Sequence, residues 1–252
     1  MASASAPTHA QLEASLASYD SALLSKDPSG ELLRLDKYLR TDLRDRMKTR
    51  RKVHGAAHLE KAELEDIMRW KLKRGKFRPT LMGLIAKNSP EAVEEQTRLV
   101  DSLIHCDGTG EKKAAQDKGT RRKEAMAAGC KLKGVGPATC SALLSLFSEG
   151  EEAFMSDESL LYAAGFKGSM KYNLKEWEWF VQKMQERKEK EGWESVATLE
   201  RAAWAWAHRE SDDGNDGEER KEGGVGKRKT KEASTDIEAK EAANKVKRRK
   251  KS

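Results

Sequence analysis

From His9 to Arg209 the apolar residues fall three and four apart almost everywhere, and no stretch alternates apolar and polar as a half-buried strand does. That pattern restricts the chain to helices packed on helices. Leu12, Leu16, Tyr19 and Leu23 mark a first helix. Leu32, Leu35, Tyr38 and Leu39 mark a second, and Leu64, Ile67, Met68 and Leu72 a third that stops near Gly75. Pro79 opens a short helix through Leu84 and Ile85. Ser89 and Pro90 read as the N-cap and first position of the next, which buries Val93, Leu99, Val100 and Leu103. A basic helix ends near Leu132, Pro137 opens another through Leu146, and Ser156 caps a short turn holding Leu160 and Leu161. Two last helices carry Leu174, Trp177, Phe180, Val181 and Met184, then Val196, Leu199, Ala203 and Trp206. The expectation is one all-α domain over residues 9–209, behind a disordered N-terminus at 1–8.

The pattern ends at residue 210. Residues 211–226 hold six acids and two bases, and residues 227–252 hold eleven bases and four acids. Val225, Ile237 and Val246 are the large aliphatic residues there, too few to offset the entropy of folding. Residues 210–252 therefore read as a disordered charged tail. Its clusters KRKTK (227–231) and KVKRRKK (245–251) resemble nuclear-import signals, which implies an import receptor as partner and the nucleus as location; a solvated charge run is the plainer alternative. Over the whole chain, 49 Lys and Arg against 42 Asp and Glu give +7, a balance suited to a polyanion. No apolar run approaches the roughly 20 residues of a membrane span, and MASASAPTHAQ lacks the features of a secretory signal. Three cysteines without a C-x-x-C, Cys106, Cys130 and Cys140, point to a reducing compartment and to no cysteine-built metal site.

One stretch carries a possible site. CKLKGVGPATCSALLS, residues 130–145, joins two helices through Leu132, Lys133, Gly134, Val135 and Gly136. The two glycines permit positive φ, Val135 plugs the space between the helices, and Pro137 takes the first helical position, where its missing N–H costs nothing. The N–H groups of Gly136, Ala138 and Thr139 would then point outward at a helix N-terminus and receive an anion, with Lys133 beside them. Cys140 fits as a small buried residue, and a plain connection with a glycine cap is the bland reading.

Apolar-x-Gly-apolar-Gly followed by a helix resembles the hairpin of the helix-hairpin-helix DNA glycosylase superfamily. That resemblance implies an all-α glycosylase-like domain whose hairpin grips the DNA backbone and a catalytic aspartate at the mouth of the base pocket. AFMSDESL supplies Asp157 after the second hairpin helix. Members that also cut the backbone carry a lysine where this chain has Ala138, so the resemblance implies at most a glycosylase without lyase activity; the family's four-cysteine cluster is missing too. MRWKLKRGKFRPTL, LKGVGPATCSALLS and FMSDE together are similar to the Amun-type branch of eukaryotic nuclear proteins, a likeness that implies no particular activity. For such chemistry, a carboxylate near the sugar stabilises the positive charge that develops as a base leaves. The alternative for Asp157, or for Ser156, is a helix cap.

WKLKRGKFRP sets Lys71, Lys73, Arg74, Lys76 and Arg78 beside Trp70 and Phe77, either a strip for phosphates and bases or an amphipathic helix with its aromatics inside. Core is the better reading for Phe77, and Trp70 falls off the apolar stripe. His54 and His58 lack further ligands at useful spacing, and Gly55 weakens the helix between them, so no metal site is read. His105, Cys106 and Asp107 read as a helix-end loop, and Trp193, Trp204 and Trp206 as core or partner contacts. The whole reads as a monomeric nuclear DNA-binding protein without cofactor, either a lyase-free glycosylase for abnormal bases or a non-catalytic scaffold on DNA or chromatin. A pure protein-interaction scaffold is the third reading.

Overall fold

The computed structural model describes residues 6–105 and 118–209, and every regular element among them is helical. In chain order they are α1 (His9–Ala17), α2 (Tyr19–Lys26), α3 (Glu31–Arg40), α4 (Asp42–His54), α5 (Lys61–Arg74), α6 (Pro79–Ile85), α7 (Pro90–Ile104), α8 (Lys118–Gly129), α9 (Pro137–Phe147), a π-helical turn (Ser159–Ala163), α10 (Leu174–Glu191) and α11 (Val196–Ala207). The chain divides into two units, Met1–Glu210 and Ser211–Ser252. The helices belong to the first. The second, with both basic clusters of the tail, lies outside the described residues, as do Cys106, Asp107 and most of the segment 1–8. No helix among the described residues is long and apolar enough to cross a membrane.

Polar side chains fix several helix starts. Thr8 and Gln11 form a capping box on α1. Ser89 accepts the Ala92 N–H at 3.2 Å in front of Pro90, Asn173 accepts from Glu176 at 3.0 Å, and Ser195 from Thr198 at 3.1 Å. Behind these caps, α1 and the π turn pack on α11, α7 packs on α8, and α5 packs on α9. Trp204 and Leu199 on α11 and Leu143 and Phe147 on α9 are fully buried where these layers meet.

Two features of the sequence pattern come out differently. The stripe Leu12–Leu23 spans two helices, broken at Ser18, whose N–H turns back to Ser15. And α4 joins the fold without an apolar stripe: it buries Leu43 and Met47 alone and is fastened by charge. Arg50 meets Glu63 at 2.6 Å, and Arg51 meets Asp101 at 2.6 Å. The helix stops at His54, with Gly55 left-handed at φ 77°, so His54 and His58 share no helical face and their rings stand 6.1 Å apart.

The strip between residues 70 and 78 is divided by tertiary packing. Arg74 is 1% exposed, grips Glu200 through two bonds of 2.6 and 2.9 Å, and lies 4.9–5.9 Å from the ring centres of Tyr19, Trp70, Phe154 and Trp204. It is a core ion pair and offers nothing to a phosphate. Lys73 faces Asp27 and Glu31, each at 3.0 Å. Trp70 is a core residue, 9% exposed, with its Nε1–H donated to Asp36 at 3.0 Å. Phe77 reverses its expected place: it is 73% exposed, because α5 ends at Arg74 and the following loop carries it off the helix. Lys71, Lys76 and Arg78 are what remains of the strip.

Candidate nucleic-acid interface

The loop 130–136 joins α8 to α9. Leu132 and Val135 are buried, and Val135 returns its N–H to the Leu132 carbonyl at 3.0 Å, closing the turn. Gly134 sits at φ 81°, against the end of α6. A Cβ there would stand 3.0 Å from Leu84 Cβ and 3.3 Å from the Ile85 nitrogen. Asn88 staples the turn from the same side: its Nδ2 donates to the Lys133 carbonyl at 3.0 Å, and its Oδ1 accepts the Lys133 N–H at 2.8 Å. Nothing in the sequence marked Asn88, whose partners lie 45 residues away. Where α8 and α9 meet, a Cβ on Gly129 would collide with Cys140 Sγ, so Cys140 is the buried packing residue expected of it.

Gly136 differs from the expectation. Its φ of −97° and ψ of −179° are extended, open to any residue, and its missing Cβ would meet open space. No contact inside the described fold requires glycine there. The N–H groups of Gly136 and Ala138 have no acceptor among the described residues. Thr139 must be removed from the expected contacts: its N–H is bound to the Gly136 carbonyl at 2.9 Å, and the residue is 3% exposed. Lys133 is exposed, with Nζ 3.4 Å from the Lys87 carbonyl.

Asp157 faces the same end of α9. It lines a cleft of about 70 Å³ together with Ala138, Lys71, Lys76, Arg78 and Tyr172. Capping falls to Ser156, whose Oγ accepts the Ser159 N–H at 3.2 Å. The Asp157 carboxylate points elsewhere: Oδ1 accepts from the Tyr172 hydroxyl at 2.6 Å, and Oδ2 lies 3.3 Å from Lys76 Nζ. Burial, then the bond to Asp157, push the Tyr172 phenol well above its ordinary value, so it stays a donor. Tyr172 has φ 52°, a strained value for a side chain of this size, and Glu176 holds that turn by accepting the N–H groups of Lys171 and Tyr172.

Lys71, one of the strip's cations in the sequence, is the one the cleft leaves without a partner. Half-buried, it makes no hydrogen bond or ion pair among the described residues. Burial, then the charge of Arg78, lower its amine below the usual lysine range, while Asp157 acts in the opposite sense. A cavity that takes benzene measures about 150 Å³. At about 70 Å³ the cleft is too small to enclose a base in this conformation, and both carboxylate oxygens of Asp157 already have partners.

No family model matches the chain, and comparison with curated proteins and with solved structures returned no match.

Proposed function

We propose that the protein binds DNA, taking a backbone phosphate on the Gly136 and Ala138 N–H groups in the manner of a helix-hairpin-helix, glycosylase-like domain. One observation carries the reading. Gly136 is a glycine for which the described fold has no use, beside two N–H donors without acceptors. Lys133 stands on the same turn, and the cleft that Ala138 helps to line brings Lys71, Lys76 and Arg78 alongside. Phosphate contact of this kind is salt-dependent, with a slope of about −0.9 in log K against log salt for each phosphate neutralised. Titrating a short duplex at several salt concentrations tests it. Wild type should show a slope of several units, and Lys76→Gln with Arg78→Gln together should lower it by about two. A salt-independent isotherm, or the same slope in the double variant, would refute the reading.

A second reading is favoured by the place of Asp157: an acid that is not a helix cap, at the N-terminal end of the second hairpin helix. A carboxylate there can stabilise a cationic sugar while an abnormal base departs. The cleft must first open, by withdrawing Tyr172 and Lys76 from Asp157. Incubation with duplexes carrying alkylated, deaminated or oxidised bases, followed by alkali, reads base release directly. Absence of strand breaks for every lesion leaves a non-catalytic DNA-binding protein.

A further inference from the structure

A second cavity, of about 60 Å³, lies where α3, α4 and α11 meet α5 and α9. Phe154 lines both it and the Asp157 cleft. Its walls are apolar, formed by Leu39, Ile67, Trp70, Leu146 and Phe154, yet Arg40, Arg44 and Arg201 all reach it. Three guanidinium groups around a small apolar hollow need negative charge, and the two carboxylates that line it, Asp36 and Glu200, are already committed, as is Glu149 near Arg44. Asp36 accepts from Tyr19 at 2.8 Å, Trp70 at 3.0 Å and Arg40 at 2.6 Å. Glu200 holds Arg74 with both oxygens and also accepts from Ser156 at 2.8 Å. Glu149 is shared by Arg51 at 3.1 Å and Lys48 at 3.5 Å. Arg40 is thus neutralised by Asp36, while Arg44 and Arg201 have no carboxylate among the described residues.

The deficit is sharpest at Arg44. Its Nε is buried without a hydrogen-bond partner, and the side chain makes no ion pair among the described residues. A buried donor left without an acceptor is costly, and more so when it is charged. Arg201 donates to the Thr198 hydroxyl at 3.1 Å and otherwise faces Arg44 as a like charge. Burial, followed by the charge of Arg201, lowers the Arg44 guanidinium below its ordinary value. From α9, the Ser145 hydroxyl adds a donor that bonds to nothing else among the described residues, although Ser141 one turn earlier does bond back, to the Ala138 carbonyl at 2.9 Å.

We infer that this cavity is a binding site for a phosphate dianion, the terminal group of a phosphomonoester or inorganic phosphate, held between Arg44 and Arg201 with the Ser145 hydroxyl as third donor. Charge selects the class. Two unpaired guanidiniums are neutralised by a group carrying about −1.5 to −2 at neutral pH, as a phosphomonoester does. Guanidinium forks match its oxygens in pairs. Size agrees: about 60 Å³ holds roughly four to six water-sized spheres, the bulk of one phosphate and not of a sugar or base. The remainder of a phosphomonoester would lie outside the mouth. Ser145 stands seven residues from Ala138 along α9, roughly 10 Å, so the phosphate can belong to a small molecule or to the phosphorylated end of a DNA strand lying on the hairpin.

Calorimetric titration with inorganic phosphate at constant ionic strength tests the site, with chloride as the reference anion. Wild type should saturate. Arg44→Gln and Arg201→Gln should each weaken binding about tenfold or more, and Lys190→Gln, which removes an exposed charge on α10, should leave it unchanged. Arg201→Gln keeps the test decisive if Arg44→Gln fails to fold, because the one side-chain hydrogen bond of Arg201 among the described residues is to Thr198. Competition then identifies the source. Displacement by a nucleoside monophosphate alone means a small molecule, displacement by duplex carrying a terminal phosphate means a DNA end, and displacement by duplex lacking one, whose phosphodiesters carry a single charge each, overturns the dianion. Absence of saturable binding to wild type, or equal affinity in wild type and the folded arginine variants, overturns the proposal.

Discussion

Gly134 and Gly136 stand two residues apart in one turn, and substitution should separate their roles. At Gly134 both backbone and space forbid a side chain. Its φ of 81° costs a non-glycine residue about 1–2 kcal/mol, and a Cβ at 3.0 Å from Leu84 Cβ and 3.3 Å from the Ile85 nitrogen adds an overpacking cost of about 1–3 kcal/mol. Gly134→Ala should therefore lose about 3 kcal/mol, or roughly 6–12 °C in Tm for a domain of this size. At Gly136 the backbone is extended, before a proline that favours that conformation, and a Cβ meets open space. Gly136→Val loses part of an N-cap preference and gains from a stiffer unfolded chain, effects that offset to within about 1 kcal/mol. Its cost should fall on binding instead. A β-branched side chain over the Gly136 and Ala138 N–H groups keeps a phosphate away, and one charge-assisted bond is worth about 1.5–3 kcal/mol, or about tenfold or more in Kd. Thermal melts and fluorescence anisotropy on a short duplex, at matched salt, measure both quantities. If Gly136→Val binds as wild type does, the hairpin is only a connection between helices and the DNA-backbone reading is wrong.

Removing the charge of Lys71 should stabilise the fold. Because burial and Arg78 lower the folded amine below its unfolded value, the fold disfavours the ammonium, and Lys71→Met should melt higher than wild type at neutral pH. The gap should narrow as pH rises from the lowered value toward the usual lysine range, since wild type then folds with a neutral amine; a gap that does not change with pH would contradict this. Arg74→Met should lose about 3–5 kcal/mol by stranding Glu200 inside the aromatic cage, with Arg74→Met, Glu200→Leu losing less; chemical denaturation decides, and a double variant worse than the single one would refute the account. If base release is detected, Asp157→Asn should abolish it with helical content and duplex affinity unchanged, whereas residual release at the wild-type rate would move the chemistry elsewhere. If the tail's basic clusters act as import signals, truncation before residue 227 should keep the melt of the helical unit and lower nuclear accumulation, read by fluorescence microscopy; equal accumulation with and without the tail would refute that role.

The helical class was readable because burial and periodicity are the same fact in an amphipathic helix. Leu64, Ile67, Met68 and Leu72 announce α5, and all are buried. A helix held by charge carries no such stripe. In α4, DLRDRMKTRRKVH, the residues that fasten it are Arg50 and Arg51, and their carboxylates stand 13 and 50 positions along the chain. No local window contains that information. Phe77 failed in the opposite direction: its hydrophobicity suggested burial, but where a chain leaves a helix decides which side of the surface a residue meets.

The candidate sites were legible only as far as they were local. Leu132, Gly134 and Val135 do in the turn what their residue types imply, because a turn is a contract between neighbours. What a charged residue can bind is different in kind, since it depends on which partners the fold leaves over. In WKLKRGKFRP five cations look alike along the sequence. Tertiary contacts give Lys73 two carboxylates, bury Arg74 against Glu200, bring Lys76 to Asp157 and leave Lys71 with none. Arg44 and Arg201 are 157 positions apart and become a pair only when α4 and α11 face the same hollow. The cost of an unsatisfied charge is far larger in that half-buried setting than at the surface, because water no longer screens it. The proposed recognition therefore rests on the few cations that the fold's own acids do not neutralise, and on the two N–H groups at Gly136 and Ala138 that have no acceptor among the described residues.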